Sequence, residues 1–207
     1  MATETKPRAR EIIEPLVLRL RPAIELTEDQ LLALSSLNKD LRLEMTAEGD
    51  LEIMPPVGWE TGGRNLQITM QLGLWTERNG TGVATDSSGG FTLPNGAVRA
   101  PDAAWVRQER LKDLSAEQKQ KFLPLCPDFV VELRSPSDRL ETLQAKMREY
   151  LENGARLGWL IEPEPKRIHV YRPGREVERL DGATSLSGEP ELAGFLLDLR
   201  KVWDPGF

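Results

Sequence analysis

Residues 127–150, PDFVVELRSPSDRLETLQAKMREY, pass directly from an apolar segment through a polar turn into a second, longer segment. The FVV triplet at 129–131 consists of strong β-formers and predicts a buried strand. Glu132 and Arg134 stand where this strand ends, just before the Ser-Pro-Ser-Asp turn. A buried carboxylate is costly unless a cation, a hydrogen-bond network or solvent compensates it. The strand end is therefore a candidate site.

The segment after the turn predicts an amphipathic helix. Leu143, Met147 and Tyr150 recur at helical spacing and define its buried side. Lys146 falls at one edge of that side and Gln144 at the other. Two interpretations of Lys146 stay open from the pattern alone. It is either an ordinary border lysine, or a lysine whose stem lies on the core while its ammonium reaches toward the strand end.

The rest of the chain predicts one mixed α/β domain over residues 1–207, with a sheet flanked by helices. The first 15 or so residues are charged and aperiodic, which indicates a flexible arm. A helix and a β-hairpin follow it, and a second helix begins near Glu60. Helical patterns cover residues 27–38 and 60–78. Strand patterns cover the hairpin at 41–56 and the segments 82–86, 90–94, 102–106, 156–163 and 167–174.

Composition excludes several classes of protein. Hydrophobic residues make up 39% and charged residues 29% of the chain, and no apolar run approaches the ~20 residues of a membrane span. The first residues lack the apolar region of a secretory signal, so we expect a cytoplasmic protein without a membrane partner. The net charge of −6 argues mildly against nucleic-acid binding. Clustered carboxylates that hold a divalent metal would weaken that objection, as would the basic run at 107–112.

The single cysteine and the single histidine narrow the chemistry further. Cys126 alone excludes an internal disulfide and a multi-cysteine zinc site. His169 alternates with apolar neighbours as an ordinary strand residue, and it would have to serve any Ser-His-Asp arrangement alone. Catalysis would therefore depend on carboxylates, Lys, Tyr or a metal held by oxygen atoms.

Three carboxylates make such a metal site a reasonable expectation. Asp102 opens the strand after Pro101, Glu132 closes the strand quoted above, and Glu60 opens the second helix. Carboxylates at strand ends suit Mg²⁺, which takes one or two of them plus water and phosphate. Nucleases often place a lysine two residues after the glutamate, but Arg134 stands there. Arginine stays protonated, so it can bind phosphate but is a poor base.

The blocks LPNGAVRAPDAAWV (93–106), PDFVVELRSPSDRLETLQAKMREYLENGARLGWLIEP (127–163) and IHVYRPG (168–174) resemble the Uma-two family of restriction-endonuclease-like proteins. The resemblance spans roughly residues 40–175. It implies a PD-(D/E)xK nuclease fold in which the lysine is displaced from the strand onto the following helix. It therefore implies Asp102 and Glu132 as metal ligands and Lys146 as the displaced lysine, with Glu60 as an additional acidic ligand.

The leading hypothesis is a Mg²⁺- or Mn²⁺-dependent endonuclease that hydrolyses the phosphodiester bonds of DNA. Its catalytic residues would be Asp102, Glu132 and Lys146, and Arg134 would contact phosphate or pair with a neighbouring carboxylate when the site is empty. The alternative is a catalytically silent protein that keeps the fold for binding or oligomerisation. The acidic pI and the arginine in the lysine position favour that alternative.

The C-terminal segment GFLLDLRKVWDPGF (194–207) bears on assembly. It is apolar for a chain end and predicts that Phe195, Leu196 and Trp203 would be exposed on a monomer. Such exposure favours a homodimer or a larger homo-oligomer, the arrangement common among endonucleases that cut both strands.

Overall fold

A computed structural model describes residues 15–206. The expected flexible arm lies almost wholly outside these residues. The predicted hairpin is confirmed: β2 (Arg42–Met45) and β3 (Leu51–Met54) pair antiparallel with Arg42 opposite Met54 and Met45 opposite Leu51. They form a five-stranded sheet with β1 (Leu16–Leu18), β5 (Phe91–Thr92) and β6 (Val98–Arg99), in the order β1-β3-β2-β6-β5.

A second sheet of six strands forms the centre of the molecule. Its strands are β4 (Gly82–Asp86), β7 (Ala103–Arg107), β8 (Phe129–Leu133), β9 (Leu157–Glu162), β10 (Arg167–Tyr171) and β11 (Glu178–Asp181), in the order β11-β10-β9-β8-β7-β4. All neighbouring strands pair antiparallel except β8 and β9, which are parallel and are joined by a helical crossover. A small hairpin of β12 (Ser185–Ser187) and β13 (Leu196–Asp198) follows.

Five α-helices accompany these sheets in residues 15–206. They are α1 (Glu28–Leu37), α2 (Trp59–Asn79), α3 (Gln108–Leu111), α4 (Leu140–Glu152) and α5 (Arg200–Trp203). Thr27 begins α1 with a capping box to Gln30, which satisfies donors that the first turn would leave unpaired. No helix among residues 15–206 is both long and apolar enough to cross a membrane.

Helices cover both faces of the six-stranded sheet, which explains the uninterrupted apolar run in β8. Phe129, Val131 and Leu133 point into a core that contains Ile68 and Leu72 of α2. Val130 points to the opposite face, where it packs with Met147 and Tyr150 of α4. Because side chains alternate along a strand, Glu132 also points to the α4 face.

The prediction of an exposed C-terminal segment is wrong for two of its three residues. Phe195 and Trp203 are buried, and only Leu196, at 61% exposure, faces solvent. Phe195 stacks on Trp159 with ring centroids 5.7 Å apart. The Trp203 indole donates a hydrogen bond to the carbonyl of Ala183. The apolar chain end therefore completes the α2 face of the core.

Candidate active site

Strand β8 and helix α4 bring a carboxylate and an ammonium into contact. Glu132 is buried near the end of the strand, and Lys146 Nζ lies 3.0 Å from its Oε1 atom. The Tyr150 hydroxyl donates to the same oxygen at 3.0 Å. Lys146 and Tyr150 are four residues apart, so both lie on one face of α4. The helix thus presents two donors to one carboxylate.

Asp102 is tied to the same strand end. Its Oδ2 accepts the backbone N–H of Leu133, directly after Glu132, at 2.8 Å. Its Oδ1 accepts Arg42 Nη1 at 3.0 Å and Asn65 Nδ2 at 3.4 Å. The carboxylate is therefore held by three separate elements: β8, β2 and α2.

Glu44 on β2 is a member of the site that the sequence reasoning missed. It is fully buried, and its Oε1 lies 2.9 Å from Lys146 Nζ. Lys146 thus bridges Glu44 and Glu132. Glu44 stands opposite Glu52 in the hairpin, and like charges placed directly opposite are destabilising. Because the sequence predicts this hairpin, the facing pair of glutamates could have indicated that a cation lies nearby.

Arg99 on β6 supplies that cation. It forms ion pairs with Glu44, Glu52 and Glu149, the last at 2.6 Å between Nε and Oε2. Arg42 also contacts Glu44, at 3.4 Å. These contacts link Asp102, Glu132 and Lys146 to the five-stranded sheet in one continuous network of ion pairs.

The network sets the protonation of its members. Burial, with repulsion from Asp102 and Glu44, raises the pKa of Glu132 to about 7 despite the attraction of Lys146. Burial would also raise the pKa of Glu44, but Lys146, Arg42 and Arg99 lower it to about 2. Burial would lower the pKa of Lys146, but Glu132 and Glu44 raise it above its usual value. Lys146 is therefore an ammonium in this state.

A cavity of about 480 Å³ opens onto these groups. Asp102, Glu132 and Lys146 line it, together with Arg42 and Arg99. Ser135, Ser137 and Asp138 of the turn after β8 and apolar residues such as Pro55 and Val57 form other parts of its wall. The site is thus a cleft between the two sheets and the start of α4.

The comparisons with known proteins bear on this cleft. The family model described as "Uma2: Putative restriction endonuclease" matches residues 28–200. The chain belongs to this family. A crystal structure from Anabaena variabilis, described as "a putative nuclease belonging to DUF820", is similar with a TM-score of 0.66 and 18% identity. The match covers 78% of this chain and 89% of that one, and it shows a restriction-endonuclease-like fold. A search of curated proteins finds no match.

Two residues expected at the site of this Uma2 chain lie apart from it. Glu60 is 54% exposed at its side chain, and it pairs with Arg64 at 2.6 Å. Arg64 in turn donates to the carbonyl of Val202, which turns the pair away from the cleft. Glu60 does not line the cavity, so the structure does not bring it together with Asp102 and Glu132. The reason is its position in the first turn of α2, ahead of Asn65, the helix residue that does reach Asp102.

Arg134, expected to contact phosphate or to pair with a neighbouring carboxylate, pairs with a carboxylate. Its Nη1 lies 2.6 Å from Oε2 of the buried Glu162, and its Nε donates to the carbonyl of Asp138. Glu162 Oε1 also lies 2.8 Å from Nε2 of His169, which gives the single histidine a partner. Arg134 and Gln144 do not line the cavity, whereas Lys146 does. Of Arg134, Gln144 and Lys146, Lys146 alone reaches Glu132.

Proposed function

We propose that this Uma2 protein is a divalent-metal-dependent DNA endonuclease, with Asp102 and Glu132 as metal ligands and Lys146 as the catalytic lysine. Membership of the family described as "Putative restriction endonuclease" supports nuclease chemistry. The buried ion-pair network supports the metal. The observation that carries the proposal is an imbalance of charge in that network.

Counted over residues 15–206, the network contains five carboxylates and three cations. Each carboxylate has a cationic partner, but the network carries an excess of two negative charges in a largely buried place, where uncompensated charge is costly. Burial, with repulsion from Asp102 and Glu44, raises the pKa of Glu132, so a proton can neutralise one of those charges. One divalent cation would neutralise both. The members are Glu44, Glu52, Asp102, Glu132 and Glu149 on one side and Arg42, Arg99 and Lys146 on the other.

The donor atoms suit Mg²⁺ or Mn²⁺. Asp102 and Glu132 both line the cavity and offer it two carboxylates. The described residues contain no group of three or more His, Cys, Asp or Glu side chains that could hold a metal. Mg²⁺ is bound in that way, by one or two carboxylates plus water and substrate phosphate. Lys146 and Tyr150 both bond to Oε1 of Glu132, which leaves Oε2 for a ligand. The buried Oδ1 of Asn65, beside Asp102, has no partner within residues 15–206 and could accept from a water bound there.

In the proposed hydrolysis, the metal ion and the protein side chains have separate roles. When bound, the ion would polarise the scissile phosphate and lower the pKa of a water molecule. Lys146 holds a positive charge at the cleft and can donate to the attacking water or to a phosphate oxygen, which stabilises the charge that develops in the transition state. Its raised pKa favours this orienting role over proton abstraction. Glu44 is a positioning residue, because it fixes Lys146 without lining the cavity.

The DNA contacts and the assembly form the rest of the proposal. Arg134 lies one residue beyond β8, and its side chain is 31% exposed. An incoming phosphate can compete with Glu162 for its guanidinium, since planar guanidinium groups bind both anions in the same geometry. We expect the enzyme to act as a homodimer or larger homo-oligomer, in keeping with the two cuts that duplex DNA requires.

The direct test is cleavage of supercoiled plasmid DNA with Mg²⁺ or Mn²⁺. The wild type should cut in the presence of metal and stop when EDTA is added. Glu132→Gln and Lys146→Ala should each lower the rate at least about 100-fold. Lys201→Ala, which changes an exposed lysine of α5 on the α2 side of the central sheet, should leave it unchanged. Equal cleavage by all four proteins would remove the cleft from the reaction.

One observation favours a second function, a silent nuclease-fold module. Lys146 already bridges two carboxylates, and Arg42 already pairs with Asp102. If these pairs are stronger than metal binding, the cleft is a structural ion-pair core. That alternative requires that Mg²⁺ or Mn²⁺ at saturating concentration neither stabilises the wild type nor supports cleavage of any DNA.

A further inference from the structure

Helix α2 carries an apolar row on the side that faces solvent. Leu66, Met70 and Leu74 are 63%, 43% and 46% exposed. They lie four residues apart, so they form one line along the helix. The opposite side of α2 is buried against the core through Arg64, Ile68 and Leu72. A contiguous apolar row in this position is a candidate interaction surface.

We infer that this row is the contact surface with a second copy of the same chain, formed by antiparallel packing of α2 on the partner's α2. The register that sets Leu66 against the partner's Met70 also sets Leu74 against the partner's Gly62. Gly62 has open space where a Cβ would be, so it offers a gap for the leucine side chain. Large residues over glycine gaps let two helices approach closely.

Charge at the helix ends favours the same arrangement. Glu77 and Arg78 are exposed at the C-terminal end of α2, and the N-terminal end begins at Gly58 without a side-chain cap. Antiparallel packing brings Glu77 of each copy to the uncapped N-terminus of the other, where the helix dipole favours an anion. It also brings Arg78 toward the partner's Glu60. The surface is thus complementary to itself, which is what a two-fold interface requires.

This surface is separate from the cleft, so the inference does not depend on the proposed catalysis. It also differs from the C-terminal segment that the sequence indicated, which is mostly buried. The row lies on the outer side of the helix whose inner side carries Asn65 toward Asp102. Dimerisation would therefore place the two clefts in a fixed relation to each other.

Molecular mass in solution tests the inference. At about 10 μM, light scattering of the full chain should give twice the monomer mass of 23.3 kDa. Met70→Arg should raise the dimer dissociation constant at least about 100-fold and give a monomer at that concentration, because it buries an unpaired charge in each copy. Leu37→Arg is the matched control: Leu37 is 82% exposed on α1, and the variant should remain a dimer.

A charge-pair rescue tests the register. Leu66→Lys and Met70→Glu should each weaken the dimer. The double variant should restore it, because the ammonium introduced at position 66 of one copy then faces the carboxylate introduced at position 70 of the other. Both positions are exposed, so circular dichroism should show unchanged folding in every variant. A monomeric wild type would overturn the inference, and so would a dimer that Met70→Arg leaves intact. Failure of the double variant to recover would overturn the antiparallel register.

Discussion

Lys146 Nζ lies 2.9 Å from Oε1 of Glu44, a residue 102 positions earlier in the chain. Glu44 is fully buried and does not line the cleft, so it acts on the site through the cations that it holds and by repelling Glu132. Lys146 therefore contacts Glu132 in the cleft and Glu44 in the five-stranded sheet at the same time.

Glu44→Gln should weaken catalysis without weakening DNA binding. The amide keeps the shape but removes the charge that fixes Lys146 and raises its pKa. We expect kcat to fall about 10- to 100-fold with KM nearly unchanged, since the lost interaction acts on the transition state. The basic limb of the pH–rate profile should also move to lower pH. Glu152→Gln, an exposed carboxylate at the end of the same helix, is the control. An equal loss in both variants would contradict a positioning role.

Divalent metal should stabilise the wild type against heat. Ligand at 100 times its dissociation constant adds about 2.7 kcal/mol to the free energy of unfolding, which is roughly 5–10 °C in Tm for a chain of this size. The double variant Asp102→Asn, Glu132→Gln should lose this response. Glu60→Gln should keep it, because Glu60 lies outside the cleft. If the double variant responds to Mg²⁺ as the wild type does, these two carboxylates do not bind the metal.

Without metal, stability should fall as the pH rises from about 4.5 to about 7. Folded Glu132 holds its proton until about pH 7, whereas the unfolded chain releases it near the ordinary glutamate pKa of 4.5. The folded state therefore binds more protons in this window, and the free energy of unfolding decreases with pH, by roughly 1–3 kcal/mol. The pKa of Glu44 has the opposite shift, so its contribution is present above 4.5 and lost only as the pH falls toward 2.

Chemical denaturation in EDTA, from about pH 4.5 to about pH 7.5, measures this dependence. Glu132→Gln cannot titrate, so the difference between wild type and variant isolates the Glu132 contribution. That difference should change steadily through the window. A constant difference would show that Glu132 is already ionised in the folded protein at the acidic end of the range.

The sequence predicted the strand and the helix of the cleft, but it did not predict the ion pairs that join them to the five-stranded sheet. The apolar run 129–131 identified β8, and helical spacing placed Lys146 at the border of the α4 face, where it reaches Glu132. Both features are local. Glu44 and Arg99 were missed because their roles arise when a second sheet packs against the end of the first. No spacing rule relates positions that far apart in the chain.

The C-terminal segment shows a different limit. Its apolar residues were interpreted as an exposed surface because they lie at a chain end. Trp203 and Phe195 instead fill space left between α2 and the central sheet. Hydrophobicity alone cannot distinguish residues that complete a core from residues that form an exposed interaction surface. The row on α2 shows the opposite outcome. The sequence predicts this helix from its periodicity, but the helix carries apolar side chains on its solvent-facing side as well as on its buried side.

Arg134→Ala should reduce DNA affinity by a salt-dependent amount. If Arg134 contacts one phosphate, its loss should lower the slope of log K against log salt concentration by about 1. Fluorescence anisotropy with a short duplex in Ca²⁺, between about 50 and about 200 mM NaCl, gives this slope. Arg179→Ala provides the control, because Arg179 is an exposed arginine that pairs with Asp181 on an edge strand. Identical slopes for wild type and Arg134→Ala would exclude the phosphate contact.

Anomalous diffraction from a crystal soaked in Mn²⁺ shows whether Asp102 and Glu132 bind a divalent cation. We expect one strong anomalous peak in the cleft, within about 2–2.5 Å of a carboxylate oxygen of each residue, with waters completing the coordination. The Lys146 ammonium should remain in contact with Glu44. A soaked crystal with no anomalous peak between the two carboxylates, and with Lys146 still bridging Glu132 and Glu44, would exclude the metal site and leave the cleft as a structural core.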